Sequence, residues 1–192
     1  MLTKAVRRAG TALPPSMSGA HDAMLILFQA TYVFCLCYAI VSDFTKLLIP
    51  NWIPIVLVAA FALFAVLYLT GNSILWHLVL ATAVFCLGFA FFAAGWIGGG
   101  DVKFLTAITL WMGQEAAYSF VFLMALLGGG LALCLLTIKR YSHVFRYWAP
   151  RNRLIGRLVD LAEAGRCPYG VAIGVAGLVP TTKAVWLLSA AA

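Results

Sequence analysis

Acidic residues are scarce in this chain: six among 192, against thirteen Lys and Arg. Charged residues make up 10 % and apolar ones 64 %, with a mean hydropathy of +1.01. Soluble domains carry about 25 % charged and about 45–50 % apolar residues, so a water-soluble globular domain is excluded. Cysteine pairs are missing as well. Cys35, Cys37, Cys86, Cys134 and Cys167 are odd in number, four of them lie in apolar runs, and none forms CxxC. That argues against a disulfide framework and against a zinc site, so neither metal nor cofactor is expected. Strict apolar–polar alternation is also absent, and open sheet edges are not tolerated in lipid. The chain reads as an all-α integral membrane protein. Its net charge of +7 would in a soluble protein suggest nucleic acid. In a membrane chain it more often sets orientation and meets anionic headgroups, so lipid is the expected partner and nucleic acid is not.

Residues 1–22, with Lys4, Arg7 and Arg8, read as a disordered basic tail, and 23–192 as one polytopic membrane domain. A span needs about 20 apolar residues. The runs Ala23–Val41, Trp52–Leu69, Ile74–Ile97, Val102–Met112, Ala116–Ile138 and Tyr169–Leu188 predict about six helices, the fourth being short. Between the last two runs, residues 139–168 form a basic segment. Leu154, Leu158 and Leu161 recur there at helical spacing beside Arg153 and Arg157, which predicts an amphipathic helix on the membrane surface. With six spans, that segment falls on the same side as Asp43, Lys46, Asp101 and Lys103. Positive charge marks the cytoplasmic side, so both termini are expected outside.

Four of the six acids have a plain reason to be there. Asp22 is in the tail, Asp160 and Glu163 are in the basic segment, and Glu115 is placed in a tight turn. Asp43 and Asp101 lie instead at the ends of apolar runs. A charged Asp at mid-span is unfavourable by about 2.5–3.5 kcal/mol, less near the interface, so such a group points to function. Asp101 can alternatively be a helix N-cap after a glycine-terminated helix. Asp43 can alternatively form a local turn with the amides of Phe44 and Thr45.

Two carboxyls held together share one proton, because both cannot ionise at close range. The ionised member can then take a proton from water while the neutral member donates one to a scissile carbonyl. Asp43 ends its helix, where the dipole disfavours an anion, so it is expected to be the protonated partner. Gly98, Gly99 and Gly100 would let an extended peptide approach the backbone and permit conformations closed to other residues.

Gly98-Gly99-Gly100-Asp101 resembles the GxGD signature of membrane aspartyl proteases. SDFTKLLIPNW, with Asp43, Pro50 and Asn51, resembles the first catalytic segment of type IV prepilin peptidases. Pro168-Tyr169-Gly170-Val171-Ala172-Ile173 resembles the opening of that family's last helix. The likeness is greatest to the short form serving tight-adherence (Flp) pili. It implies that Asp43 and Asp101 are the catalytic pair and that the reaction removes leaders from prepilins and pseudopilins, whose apolar helices lie in the bilayer. It also implies a bacterial inner-membrane location with the site facing the cytoplasm. The domain with paired CxxC motifs found in long members is absent, so methyltransferase activity is not expected.

Among the other residues, Lys103 is expected beside the active-site loop or as an interfacial lysine, and Pro50 and Asn51 as positioning residues with Asn51 capping the second span. His77 reads as an interior hydrogen-bonded histidine, Gly128-Gly129-Gly130 as a packing face, and Trp52, Trp76, Trp96, Trp111 and Trp186 as interface anchors. A small transporter or channel subunit using Asp43 and Asp101 as a proton or cation site is the alternative function.

Overall fold

The computed structural model describes residues 15–148 and 152–179. Among them are helices and no strand: α1 (Pro15–Lys46), α2 (Trp52–Tyr68), α3 (Gly71–Ala93), α4 (Gly99–Arg140), α5 (Ser142–Trp148) and α6 (Arg153–Glu163). A last apolar helix, α7, runs over Tyr169–Val179. The protein is therefore all-α. Residues 1–14 of the expected tail, and 180–192 with the end of the sixth run and Trp186, lie outside the described residues; residues 15–22 belong to α1.

Three stretches are long and apolar enough to cross a bilayer: Ala23–Lys46, Gly71–Ala93 and Ala116–Arg140. Helices α2 and α7 are apolar but shorter. The 17 residues of α2 rise about 25 Å, just under the roughly 30 Å hydrocarbon core. Large apolar side chains face outward, with Val66 81 % and Phe122 71 % exposed. Water would not tolerate so continuous an apolar exterior, whereas acyl chains match it.

A straight helix over Gly99–Arg140 would place Leu105 and Gly128 about 35 Å apart. Both line one cavity instead, because α4 folds back on itself at Gly113, whose backbone lies at φ 60, ψ −172. Only glycine takes that conformation without strain. The halves, 99–112 and 114–140, match the expected fourth and fifth runs. Glu115, expected in the turn, lies in the second half, because one residue suffices for the reversal. Beneath the turn, His77 Nδ1–H donates to the Leu110 carbonyl at 2.7 Å, satisfying an acceptor the broken helix leaves free.

Aromatic rings fill the bundle at this end. Trp111 packs against Phe28, Tyr32, Phe61 and Phe64, and its indole N–H donates to the Leu57 carbonyl at 3.0 Å. Trp111 is thus half-buried among these rings. Helix α7 meets α1 along a glycine face. A Cβ at Gly174 would lie 2.5 Å from Ile40 Cγ1, and one at Gly177 would lie 2.9 Å from Leu36 Cδ2. Small residues at such spacing let two membrane helices approach closely. In the 128–130 triplet only Gly128 has a neighbour within 4 Å of an added Cβ, at Tyr169 and Ala172.

Helix α6 docks on the protein itself. Val159, Leu161 and Ala162 are buried with Leu135 and Ile138 of α4, and Phe44 and Leu47 of the α1 end pack against them. Its partner in the basic segment, α5, is joined to it by the exposed Arg146–Glu163 ion pair at 3.1 Å. The expected amphipathic helix exists, with its apolar face turned to the bundle.

Candidate active site

Asp43 sits one turn before the end of α1 and is 5 % exposed. Beside it, the Ser42 hydroxyl donates to the Leu48 carbonyl at 2.8 Å and fixes the loop leaving the helix. Leu47 follows at φ 53, the one non-glycine residue with positive φ among the described residues. This left-handed conformation is unfavourable by about 1–2 kcal/mol for a side-chain-bearing residue.

Asp101 occupies the third position of α4, after Gly98 at the N-cap. Its carboxyl reaches back to the Gly98 N–H, as the acidic member of a capping box does. The alternative reading of Asp101 as the N-cap itself does not hold, since Gly98 occupies that position. The glycines need revision too. None of the three has positive φ, so unusual backbone is not their reason. A Cβ on Gly98 would lie 3.1 Å from Asp101 Oδ2, and one on Gly99 would lie 3.3 Å from the Phe92 ring. Gly98 leaves room for the carboxyl, and Gly99 lets α3 come close.

Both carboxyls open on one cavity of about 480 Å³ at this end of the bundle. Leu47 to Asn51, Gly98, Gly100, Arg166 and Cys167 complete its wall. Asp43, Asp101, Pro50, Asn51, Gly98 and Gly100 thus share this wall, and Gly99 and Lys103 are not in it. Lys103 Nζ donates instead to Asn51 Oδ1 at 3.2 Å, joining α4 to the loop before α2. Asn51 holds the N-cap position but makes no side-chain cap bond, its backbone standing at φ −62, ψ −21 instead of the extended conformation of a capping residue.

The third side of the cavity comes from a region the sequence did not single out for chemistry. Just past the end of α6, Gly165, with a φ of 65, permits paired terminal bonds from Gly165 N to Ala162 O (3.1 Å) and Arg166 N to Leu161 O (3.0 Å). The chain then turns Arg166 and Cys167 into the cavity and starts α7. The Val171 N–H in the first turn of α7 donates to Asp43 Oδ2 at 3.2 Å, with the Gly170 N–H also directed at the carboxyl. A Cβ on Gly170 would fall 2.9 Å from the Asp43 carboxyl carbon and 2.6 Å from Ile49 Cδ1. Only glycine fits there.

Burial, and then the charge of Asp43, pushes Asp101 up to about 6, although the Gly98 N–H works in the opposite direction. Asp43 faces the donors of the α7 N-terminus, where a helix favours an anion. This runs against the expectation drawn from α1 alone. Burial pushes the Cys167 thiol up to about 11, with Asp43 and Asp101 adding to it, so the thiol is neutral and no nucleophile at neutral pH. Among the described residues no group of three His, Cys, Asp or Glu is placed to hold a metal.

A multi-pass helical membrane protein with two carboxyls at one end of its bundle is the class these features define. The family model described as the type IV leader peptidase family matches residues 30–133, more than half of the chain and both aspartates. The chain belongs to that family. No curated protein and no solved structure matches it.

Proposed function

We propose that the protein is an aspartyl endopeptidase that removes leaders from prepilins of the tight-adherence type, with Asp43 and Asp101 as its catalytic pair. The observation that carries this reading is the single cavity onto which both carboxyls open. Membership of a peptidase family favours it over a proton or cation pathway.

Asp43, facing the N–H groups of α7, is the carboxylate that takes a proton from water. The water oxygen attacks the scissile carbonyl carbon while Asp101, the neutral acid, protonates the carbonyl oxygen. The resulting gem-diol collapses, the C–N bond breaks, and the amine leaves with the proton from Asp43. Asp101 recovers its proton from the diol, so both groups return to their starting state. No metal or cofactor takes part in this scheme. Gly98 and Gly100 in the cavity wall give an extended substrate room beside Asp101, and Asn51 with Lys103 holds the opposing loop in place.

The site opens beside Lys103, Arg157 and Arg166, and this concentration of positive charge supports a cytoplasmic face in a bacterial inner membrane. Prepilins, whose apolar helices lie in the bilayer, would enter from the side, and anionic lipid would border the basic α5–α6 segment. The test uses purified protein in detergent micelles without any ion gradient. Incubated with a prepilin, it should release a leader and a shortened pilin identified by mass. Unchanged prepilin, together with gradient-dependent ion movement in vesicles, would overturn the reading.

A further inference from the structure

The last carbonyls of α1, just past Asp43, are met by a side chain distant in sequence. A helix leaves its last carbonyls without intrahelical partners, and in lipid or protein these must be met by other donors. Here the donor comes from far along the sequence. Arg157 of α6 donates from Nε to the Phe44 carbonyl at 3.2 Å and from Nη2 to the Thr45 carbonyl at 2.5 Å. Those two residues directly follow Asp43. The guanidinium fork suits this, since its planar donors can meet two acceptors at once and carry positive charge to a helix C-terminus.

Three further observations make the contact a built one. Arg157 is half-buried, and the helix bearing it is seated by Val159, Leu161 and Ala162 against α4, with Phe44 and Leu47 packed on the same cluster. Leu47 stands in the left-handed conformation beside it, and the Asp43 carbonyl is taken by the Leu47 N–H at 2.9 Å. The same α6 ends in the turn that delivers Arg166 and Cys167 to the cavity and leads to the α7 N–H groups on Asp43. One surface helix thus grips the backbone immediately after Asp43 and leads to the turn that brings hydrogen-bond donors to its carboxyl.

We infer that Arg157 is a positioning residue for the peptidase reaction, holding the α1 terminus so that Asp43 stays in register with α7 and with Asp101. It touches neither substrate nor the reacting atoms, and it lies outside the segment matched by the family model. The inference rests on Asp43 being catalytic, as proposed above. A displacement of about 1 Å at a reacting group is enough to lower a rate about 100-fold, whereas substrate binding along the cavity would not feel it.

The test measures kcat and KM for prepilin cleavage in detergent for wild type, Arg157→Lys and Arg157→Ala, per folded molecule, with a melting curve for each. Alanine should lower kcat at least about tenfold with KM within about twofold. Lysine, which keeps the charge and one donor, should recover a clear part of the loss. If the alanine variant does not fold, Arg157→Gln takes its place in the same comparison. A kcat within about twofold of wild type for the alanine or glutamine variant, a loss confined to KM, or lysine no better than alanine overturns the role of Arg157. Asp43→Asn is run alongside: if it still cleaves, the two-carboxyl reading itself is what fails.

Discussion

Gly170 at the start of α7 presses against Asp43 near the end of α1, leaving no space for a methyl group between them. An added Cβ would stand 2.9 Å from both the carboxyl carbon and Oδ2 of Asp43. Gly170→Ala should therefore push the carboxyl off the Val171 N–H and lower cleavage by about 100-fold or more. The accompanying overpacking should destabilise the fold by about 1–3 kcal/mol. Wild-type turnover by this variant would show that α7 does not set the position of Asp43.

The pH dependence follows from Asp101. In the proposed reaction Asp101 is the acid and must be protonated, and its burial beside Asp43 raises its value to about 6. A raised value keeps the acid form present to higher pH, so kcat/KM for prepilin should fall as pH passes about 6. A rate still climbing at pH 8 would place Asp101 in another role.

The same shift has a consequence for stability. A carboxyl whose folded value lies above its unfolded one holds its proton more tightly when folded, so stability declines as pH rises from about 4 to about 6 and stays lower above that. Asp101→Asn removes the penalty. Its melting temperature should exceed that of wild type at pH 8, and the difference should shrink towards pH 4. Equal differences at both values would mean that the ionised form of Asp101 is not under strain in the fold.

The two aspartates were legible in the sequence because a carboxyl at the border of an apolar run has no solvation to explain it, and their common side followed from counting spans. The six apolar runs were legible for the same reason of composition. What the sequence did not reveal is how the last third of the chain serves the site. Arg157 looks like any other cation of the basic segment, since its acceptors are backbone carbonyls of Phe44 and Thr45, and no residue type marks those. Gly170 and Val171 act through close approach and a main-chain N–H, which appear only once α7 is laid along α1. The division of charge between the two acids has the same limit: the dipole of α1 could be read from sequence, and the opposing N-terminus of α7 could not. Lys103 was placed at the site by proximity to Asp101, but the first turn of α4 directs it at Asn51 instead.

The most direct test of the paired carboxyls is cleavage of a prepilin by Asp43→Asn and by Asp101→Asn, each measured separately against wild type in the same detergent. Each substitution removes one proton-transfer partner without changing side-chain size, so each alone should abolish release of the leader. Efficient shortening of the prepilin by either variant would contradict the account.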